Sequence, residues 1–526
     1  MKKTIAKSLF VLFAGAALLT ACMKDTQPTD VITQDRLAEV IQAHPEKFEA
    51  TINGMYSDIQ SYYYSNMSHN YFGQKGFDYR TSLMGNDMIM TNRYTMSIYH
   101  YLLDYWQQEY GATANNWRMY YRLIANANEV LRVATEDVTD PTMLQYRAIA
   151  LGIRAYSYLY LSYLYQYSYY VGADDTVWGK GAVYDHSNQM LVPLIDENTT
   201  EDQPRATVKA IMDFLIGDLE EAYSIFESIG MVRTANPGDF DGCVVATYLA
   251  RAYMIVHDWT NAIKYARVVK DNFRMLQTED EIMQGFSDLS LPDVVFGCDI
   301  TADNSGLYMS FFSQMDYFAD GYAAIGVWRA GFGPFVERIS NDDIRKDWFI
   351  HRSSPLLAIA YVYYQSVKFV GAGRQQVYSS PKFMQGDWNN EGWELGDYIY
   401  LRSEEAYYME AESLAHSGDL AGAKAALEAI MAYRQPGYTC AATSKADIIE
   451  EINFQKRVEF WGEGIEYLDN RRLNIPVDRT LTKWPSNNNH FSGARFRHEQ
   501  EDREFLYQLP ISEIENNKMI SEDDQN

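Results

Sequence analysis

The sequence predicts a mainly α fold: a scaffold of helical hairpins carrying a loop-rich portion with short strands. Three observations predict it. Long stretches keep apolar residues at helical spacing, one hairpin pattern occurs twice, and between about 275 and 398 the texture turns to Gly, Pro, Asn and aromatic residues. With 526 residues, 47% of them hydrophobic, the chain can bury a large core without covalent staples.

In chain order, the first element is a leader. Lys2, Lys3 and Lys7 precede an apolar run from Leu9 to Leu19, which closes on Thr20 and Ala21 as a secretory signal peptide does. The run is short of the ~20 residues a spanning helix needs, so residues 1–21 are expected to be removed and not to cross a membrane. Leu19-Thr20-Ala21-Cys22 resembles the lipobox of bacterial lipoproteins, in which the cysteine becomes acylated; in an ordinary signal peptide cut near Ala21, Cys22 would be incidental. Two or more acyl chains make such an attachment stable, at about 0.8 kcal/mol per buried CH₂. Residues 22–40 follow as a polar tether, and 41–526 as a single domain.

The helices come next. Asn116 to Thr135, Met143 to about Tyr169, Val208 to Ser228 and Lys445 to Trp461 have helical spacing. In the second, Tyr156, Tyr158 and Tyr160 alternate as in a strand, but 27 residues is too long for one, and Ala148, Leu151 and Ala155 keep helical spacing. The repeated hairpin lies at 250–269 and 411–430, offset by 161 residues. Asp258 and Asp419 are placed as N-caps, with Ala262, Ala266 and Val269 matching Ala423, Leu427 and Ile430. Small residues at these places let paired helices approach closely, as in tetratricopeptide-type hairpins. In the loop-rich portion, "DVVFGCDI" and "LAIAYVYYQSVKFV" read as short strands, while "DFDG" (239–242) reads as the turn that begins a helix.

Charge and cysteine usage exclude some functions. A formal charge of −26 repels phosphate backbones, so nucleic acid is not an expected partner. Beyond Cys22 only Cys243, Cys298 and Cys440 occur, widely spaced, which implies neither a disulfide framework nor a zinc pattern. H-E-x-x-H, G-x-S-x-G, G-x-x-x-x-G-K and G-x-G-x-x-G motifs are all missing. A pair of glycosidase carboxylates stays open among 71 acids.

The stretch "KRVEFWGEGIEYLDNRRL" (456–473) resembles the C-terminal signature of SusD/RagB outer-membrane nutrient-binding lipoproteins through Arg457, Glu459, Glu463, Gly464, Asp469, Arg471 and Arg472. Glu466 departs from it, standing where that family often has arginine. "WRMYYRLIANANEVL" (117–131), "IRAYSYLYLSYLYQ" (153–166), Val192-Pro193-Leu194, "DVVFG" (293–297), "NDDIRKDWF" (341–349) and "FLYQLPISEIENN" (505–517) fall in the family's order too. The resemblance implies a tetratricopeptide-like scaffold and a noncatalytic protein without cofactor, lipid-anchored in the outer membrane and facing the cell exterior. It implies capture of an oligosaccharide, or in some members a peptide, for a SusC-like TonB-dependent transporter. A lipid-anchored helical-repeat scaffold or a glycan hydrolase are the alternatives. The signature's paired acids and arginines are expected to be structural ion pairs.

Two aromatic, polar stretches are the candidate ligand regions. In 61–94, Asn86, Asp87 and Arg93 could meet hydroxyls, with Tyr71 or Tyr94 as platforms. In 315–333, Gly-interrupted sequence would expose Tyr317, Tyr322 or Trp328. No metal-ligating residue is expected.

Overall fold

In the computed structural model, residues 48–61, 69–90, 97–171, 183–316, 321–323, 329–350, 378–384, 393–481 and 489–526 are described. The leader, Cys22, the tether and the "LAIAYVYYQSVKFV" segment lie outside them. Eleven of the helices among the described residues carry the architecture: α1 (Glu49–Ser61), α2 (Gly73–Leu83), α3 (Gly111–Leu131), α4 (Pro141–Tyr165), α5 (Val208–Ser228), α6 (Gly242–Ile255), α7 (Trp259–Asn272), α8 (Glu404–His416), α9 (Leu420–Met431), α10 (Lys445–Glu459) and α11 (Ile465–Leu473). They pack as successive antiparallel neighbours, α3 on α4, α4 on α5, α6 on α7 and α8 on α9, and α7 packs on α8 to join the two repeated hairpins.

The repeated pattern folds as the sequence predicts. Asp258 accepts from the Asn261 N–H at 3.1 Å and Asp419 from the Gly422 N–H at 2.8 Å, so each caps the second helix of its hairpin. Ala262, Ala266 and Val269 are buried on one copy, Ala423, Leu427 and Ile430 on the other. The residue before each cap is left-handed: Gly418 at φ +89°, His257 at φ +59°. Asp241, from "DFDG", likewise caps α6 by accepting from the Cys243 and Val244 N–H groups.

The tyrosine-rich segment is a helix. Asp140 caps α4, Pro141 opens it, and its tyrosines are buried on every side because the helix lies between α3 and α5 with α6 also against it. Tyr160 stacks on Tyr120 of α3 with centroids 5.7 Å apart, and Tyr158 accepts from the Ile195 N–H at 2.7 Å. The helix ends at Tyr165, short of Tyr169, because Gln166 turns extended and its side chain donates to the Met190 carbonyl at 2.7 Å. At its other border, α3 begins at Gly111 and ends at Leu131, four to five residues ahead of the predicted span.

Four of the short strands pair at long range: β1 (Met88–Met90), β2 (Val294–Cys298), β3 (Arg329–Gly331) and β4 (Tyr398–Arg402) form the antiparallel pairs β1–β3 and β2–β4. The first aligns Met90 with Arg329, which brings the two ligand regions read from the sequence side by side.

The signature is a buried charged spine. Glu459 on α10 is fully buried, and its carboxylate meets Arg434 at 3.0 Å, Arg345 at 3.2 Å and Arg402 at 3.4 Å. Glu463 accepts from Lys382 at 2.6 Å and from Arg402 at 2.9 Å. Arg472 on α11 bridges Glu412 of α8 at 2.6 Å and Asp469 at 2.8 Å. Burial opposes the Glu463 carboxylate, yet Arg402 and Lys382 outweigh it and hold its pKa at about 2. These groups bind elements to one another, as expected for structural pairs.

Candidate functional site

Residues 98–110, "IYHYLLDYWQQEY", make an aromatic surface strip. Leu103 takes a left-handed φ of +57°, which ends a short helical turn and reverses the chain, so that Tyr99 and Tyr105 face each other. Their rings stack with centroids 4.8 Å apart and 20° between planes, and the Tyr110 ring lies 4.9 Å from Tyr105, tilted by 45°. Tyr99 is 44% exposed, while Tyr105, Trp106 and Tyr110 are half-buried. The closing segment buttresses this strip: Gln508 donates its N–H to the Trp106 carbonyl at 2.8 Å, and the Arg503 guanidinium lies 4.3 Å over the Trp106 ring.

A second aromatic group adjoins through residues 69–71. Tyr322 meets His69 Nδ1 through its hydroxyl at 2.8 Å, and exposed Tyr308 lies edge-on to Tyr322 at 6.2 Å. Gly321 holds this position closely, since a Cβ there would fall 2.5 Å from the Ser313 Cα. Tyr71 reaches His100 Nε2 at 3.5 Å, and His100 in turn packs edge-on against Tyr105. Two ring groups result, Tyr322 with His69 and Tyr71 with His100 and Tyr105, and the backbone of residues 69–71 joins them.

Beneath the rings is a rigid polar frame. Arg80 donates to the Asn70 carbonyl at 2.6 Å and to Asn116 Oδ1 at 2.7 Å, and its guanidinium lies 4.3 Å over the Tyr71 ring. Gln314 donates to the His69 carbonyl at 3.2 Å and accepts from Arg329 at 2.8 Å. Ser97 is bonded to both Tyr79, at 2.7 Å, and Asn70, at 2.8 Å. Burial pushes the Tyr71 hydroxyl up to about 12, and burial with the Arg80 charge pushes His100 well below its ordinary value. Burial and the neighbouring tyrosine also raise Tyr105 and Tyr322. These rings therefore stay uncharged at neutral pH, offering flat apolar faces with hydroxyl donors and acceptors at their edges, which is the chemistry of carbohydrate stacking.

Of the residues singled out from the sequence, Tyr322 is half-buried within this surface. Tyr71, 9% exposed, lies beneath it. Asn86 and Asp87 are turned into the protein. Asn86 donates to the Pro476 carbonyl at 3.1 Å and accepts from the Asp478 N–H at 2.7 Å. Asp87, 2% exposed, forms a two-pronged pair with Arg457, one bond being 2.7 Å. Their polarity in sequence belongs to the joint between α2 and the signature, where Glu466 also accepts from the Asn86 and Asp87 N–H groups. Arg93, Tyr94, Tyr317 and Trp328 lie outside the described residues. The sequence reading missed Tyr99, Tyr105, Trp106 and Tyr110, although with Tyr101 they make five Tyr or Trp rings in twelve residues among Asp, Gln and Glu, without a clean 3.6 or 2 period, which is a legible signal.

Two family models match the chain: one for the SusD family over residues 359–526, and one described as starch-binding associating with outer membrane over residues 32–230. Among solved structures, a SusD-like carbohydrate binding protein from Bacteroides vulgatus superposes with a TM-score of 0.73 at 22% identity, covering 91% of this chain and 97% of that one. A SusD superfamily protein from Bacteroides thetaiotaomicron gives 0.70 at 17%, covering 91% and 99%. Surface glycan-binding protein A from Bacteroides thetaiotaomicron, solved in complex with laminarihexaose, gives 0.66 at 16%, covering 90% and 98%. A search of curated proteins found no match. At these identities the structural likenesses establish the fold.

Proposed function

Because the chain belongs to the SusD-like family, a glycan-binding family associated with the outer membrane, we propose that it is a noncatalytic surface lipoprotein that captures oligosaccharides. It is tethered through acylated Cys22, faces the cell exterior and hands its glycan to a SusC-like TonB-dependent transporter. The observation that carries this reading is the aromatic surface, Tyr99, Tyr105 and Tyr110 with His100 and Tyr71, and the adjoining His69 and Tyr322, standing on a buried hydrogen-bonded frame. Preformed platforms of this kind bind sugars with little ordering cost. The complex of a structural neighbour with laminarihexaose supports the ligand class without fixing which glycan this chain takes.

On this surface Tyr99, Tyr105 and Tyr322 are the stacking platforms, and Tyr71 supports them from below. Arg93, Tyr94, Tyr317 and Trp328 stay in the proposed ligand set, because described residues near their segments, Ser97, Gln314 and Arg329, belong to the same frame and Met90 pairs with Arg329. Asn86 and Asp87 serve the set at one remove, by fixing the end of α2, which carries Arg80, to the signature. A glycan array run beside a peptide panel tests the reading: binding to a defined glycan class with intact product is expected, whereas binding confined to peptides, or cleavage of the glycan, would overturn it.

A further inference from the structure

Around Arg503, whose guanidinium covers Trp106, the closing segment brings an imidazole against two carboxylates. His498 Nδ1 lies 3.3 Å from Asp502 Oδ2 and 3.4 Å from Glu504 Oε2, and the three atoms fall within 4.8 Å of one another. We propose that His498, Asp502 and Glu504 form a binding site for a zinc-type divalent cation, with a fourth position left to water. Nothing in the family reading calls for such a site.

The spacing fits the chemistry. Ligand atoms about 2.0–2.1 Å from zinc and set at tetrahedral angles lie about 3.3–3.4 Å from each other. A nitrogen with two carboxylate oxygens is a borderline set that suits zinc better than calcium, which takes six to eight oxygens. Separate backbone restraints position each ligand. His498 is paired with Val477 in a short antiparallel ladder, the Asp502 N–H donates to the Glu499 carbonyl at 3.0 Å, and Glu504 sits in the turn whose Phe505 is fully buried. The Glu499 N–H donates back to Asp502 Oδ2 at 2.9 Å, orienting that carboxylate toward the imidazole. The flanking arginines are directed elsewhere: Arg497 to Asp478 at 2.8 Å and Glu499 at 2.7 Å, Arg503 onto Trp106. All three ligands are half-buried, so an ion can reach them from solvent. The pattern His-x₃-Asp-x-Glu is no standard motif, so it leaves no recognisable mark in the sequence.

The competing arrangement is a metal-free contact in which the imidazole is hydrogen-bonded to the carboxylates. Titration calorimetry of the mature, chelator-treated chain with zinc chloride at pH 7.5, backed by the visible spectrum of the cobalt(II) form, separates the two. One equivalent of zinc and a tetrahedral cobalt spectrum are expected, with affinity weakened at least tenfold in His498→Ala and in the near-isosteric Glu504→Gln. Metal-free melting temperatures of the variants show whether each still folds. Absence of stoichiometric binding, or His498→Ala and Glu504→Gln proteins that bind zinc like the parent, would overturn the site.

Discussion

Glu463 illustrates how single charged residues hold this molecule together. It is paired with Lys382 and Arg402 in a buried interior, so removing it takes the carboxylate from Lys382 and one of several from Arg402, which keeps Glu459. Breaking one side of a buried pair costs about 3–5 kcal/mol, and Glu463→Ala should lose stability in that range by chemical denaturation. Its carboxyl sits at about 2 in the folded state against an ordinary 4.5, so the stabilisation is complete above pH 4.5 and is lost as pH falls toward 2. Glu466 has the opposite sign. Burial and neighbouring Asp87 raise it to about 7, so its ionisation opposes folding as pH rises from 4.5 to 7. Glu466→Gln should flatten that part of the stability profile relative to the parent; a profile of unchanged slope would show that Glu466 titrates normally.

Among elements, the two hairpins are the most legible from sequence, because cap and small-residue positions are local features. Gly418 has open space around the position of a Cβ, yet its φ is +89°. Gly418→Ala should therefore cost about 1–2 kcal/mol from backbone conformation alone, seen as a lower midpoint in urea. Asp419→Ala should cost about 1 kcal/mol through loss of the cap. The equivalent left-handed place in the other hairpin is held by His257, whose ring stacks 4.8 Å from Trp259, a contact that no local rule predicts. The tyrosine helix was ambiguous in sequence for a physical reason: buried on all sides, it has no polar face to reveal its period. The aromatic strip was hidden for the converse reason. Its rings are brought together by a turn at Leu103 and by the contacts of His100 with Tyr105 and, 29 residues away, with Tyr71, and neither feature leaves a periodic trace.

For the whole molecule, the scaffold follows from patterns in the chain, while the ligand surface follows from long-range packing of segments that the scaffold brings together. The pairing of Met90 with Arg329 and the bond between His69 and Tyr322 span about 240 and 250 positions, so neither is legible locally. The lipid tether is testable at this scale: Cys22→Ser should move the protein from the membrane fraction to the soluble one, since acyl burial supplies the attachment. The central claim, that the strip binds glycan, is tested most directly by titration calorimetry of the parent, Tyr105→Ala and Tyr322→Ala proteins with a glycan identified by array. Loss of a central aromatic platform costs about 2 kcal/mol, or roughly thirtyfold in affinity. The account predicts weakening of that order in both variants at a melting temperature close to the parent's; parental affinity in both well-folded variants would contradict it.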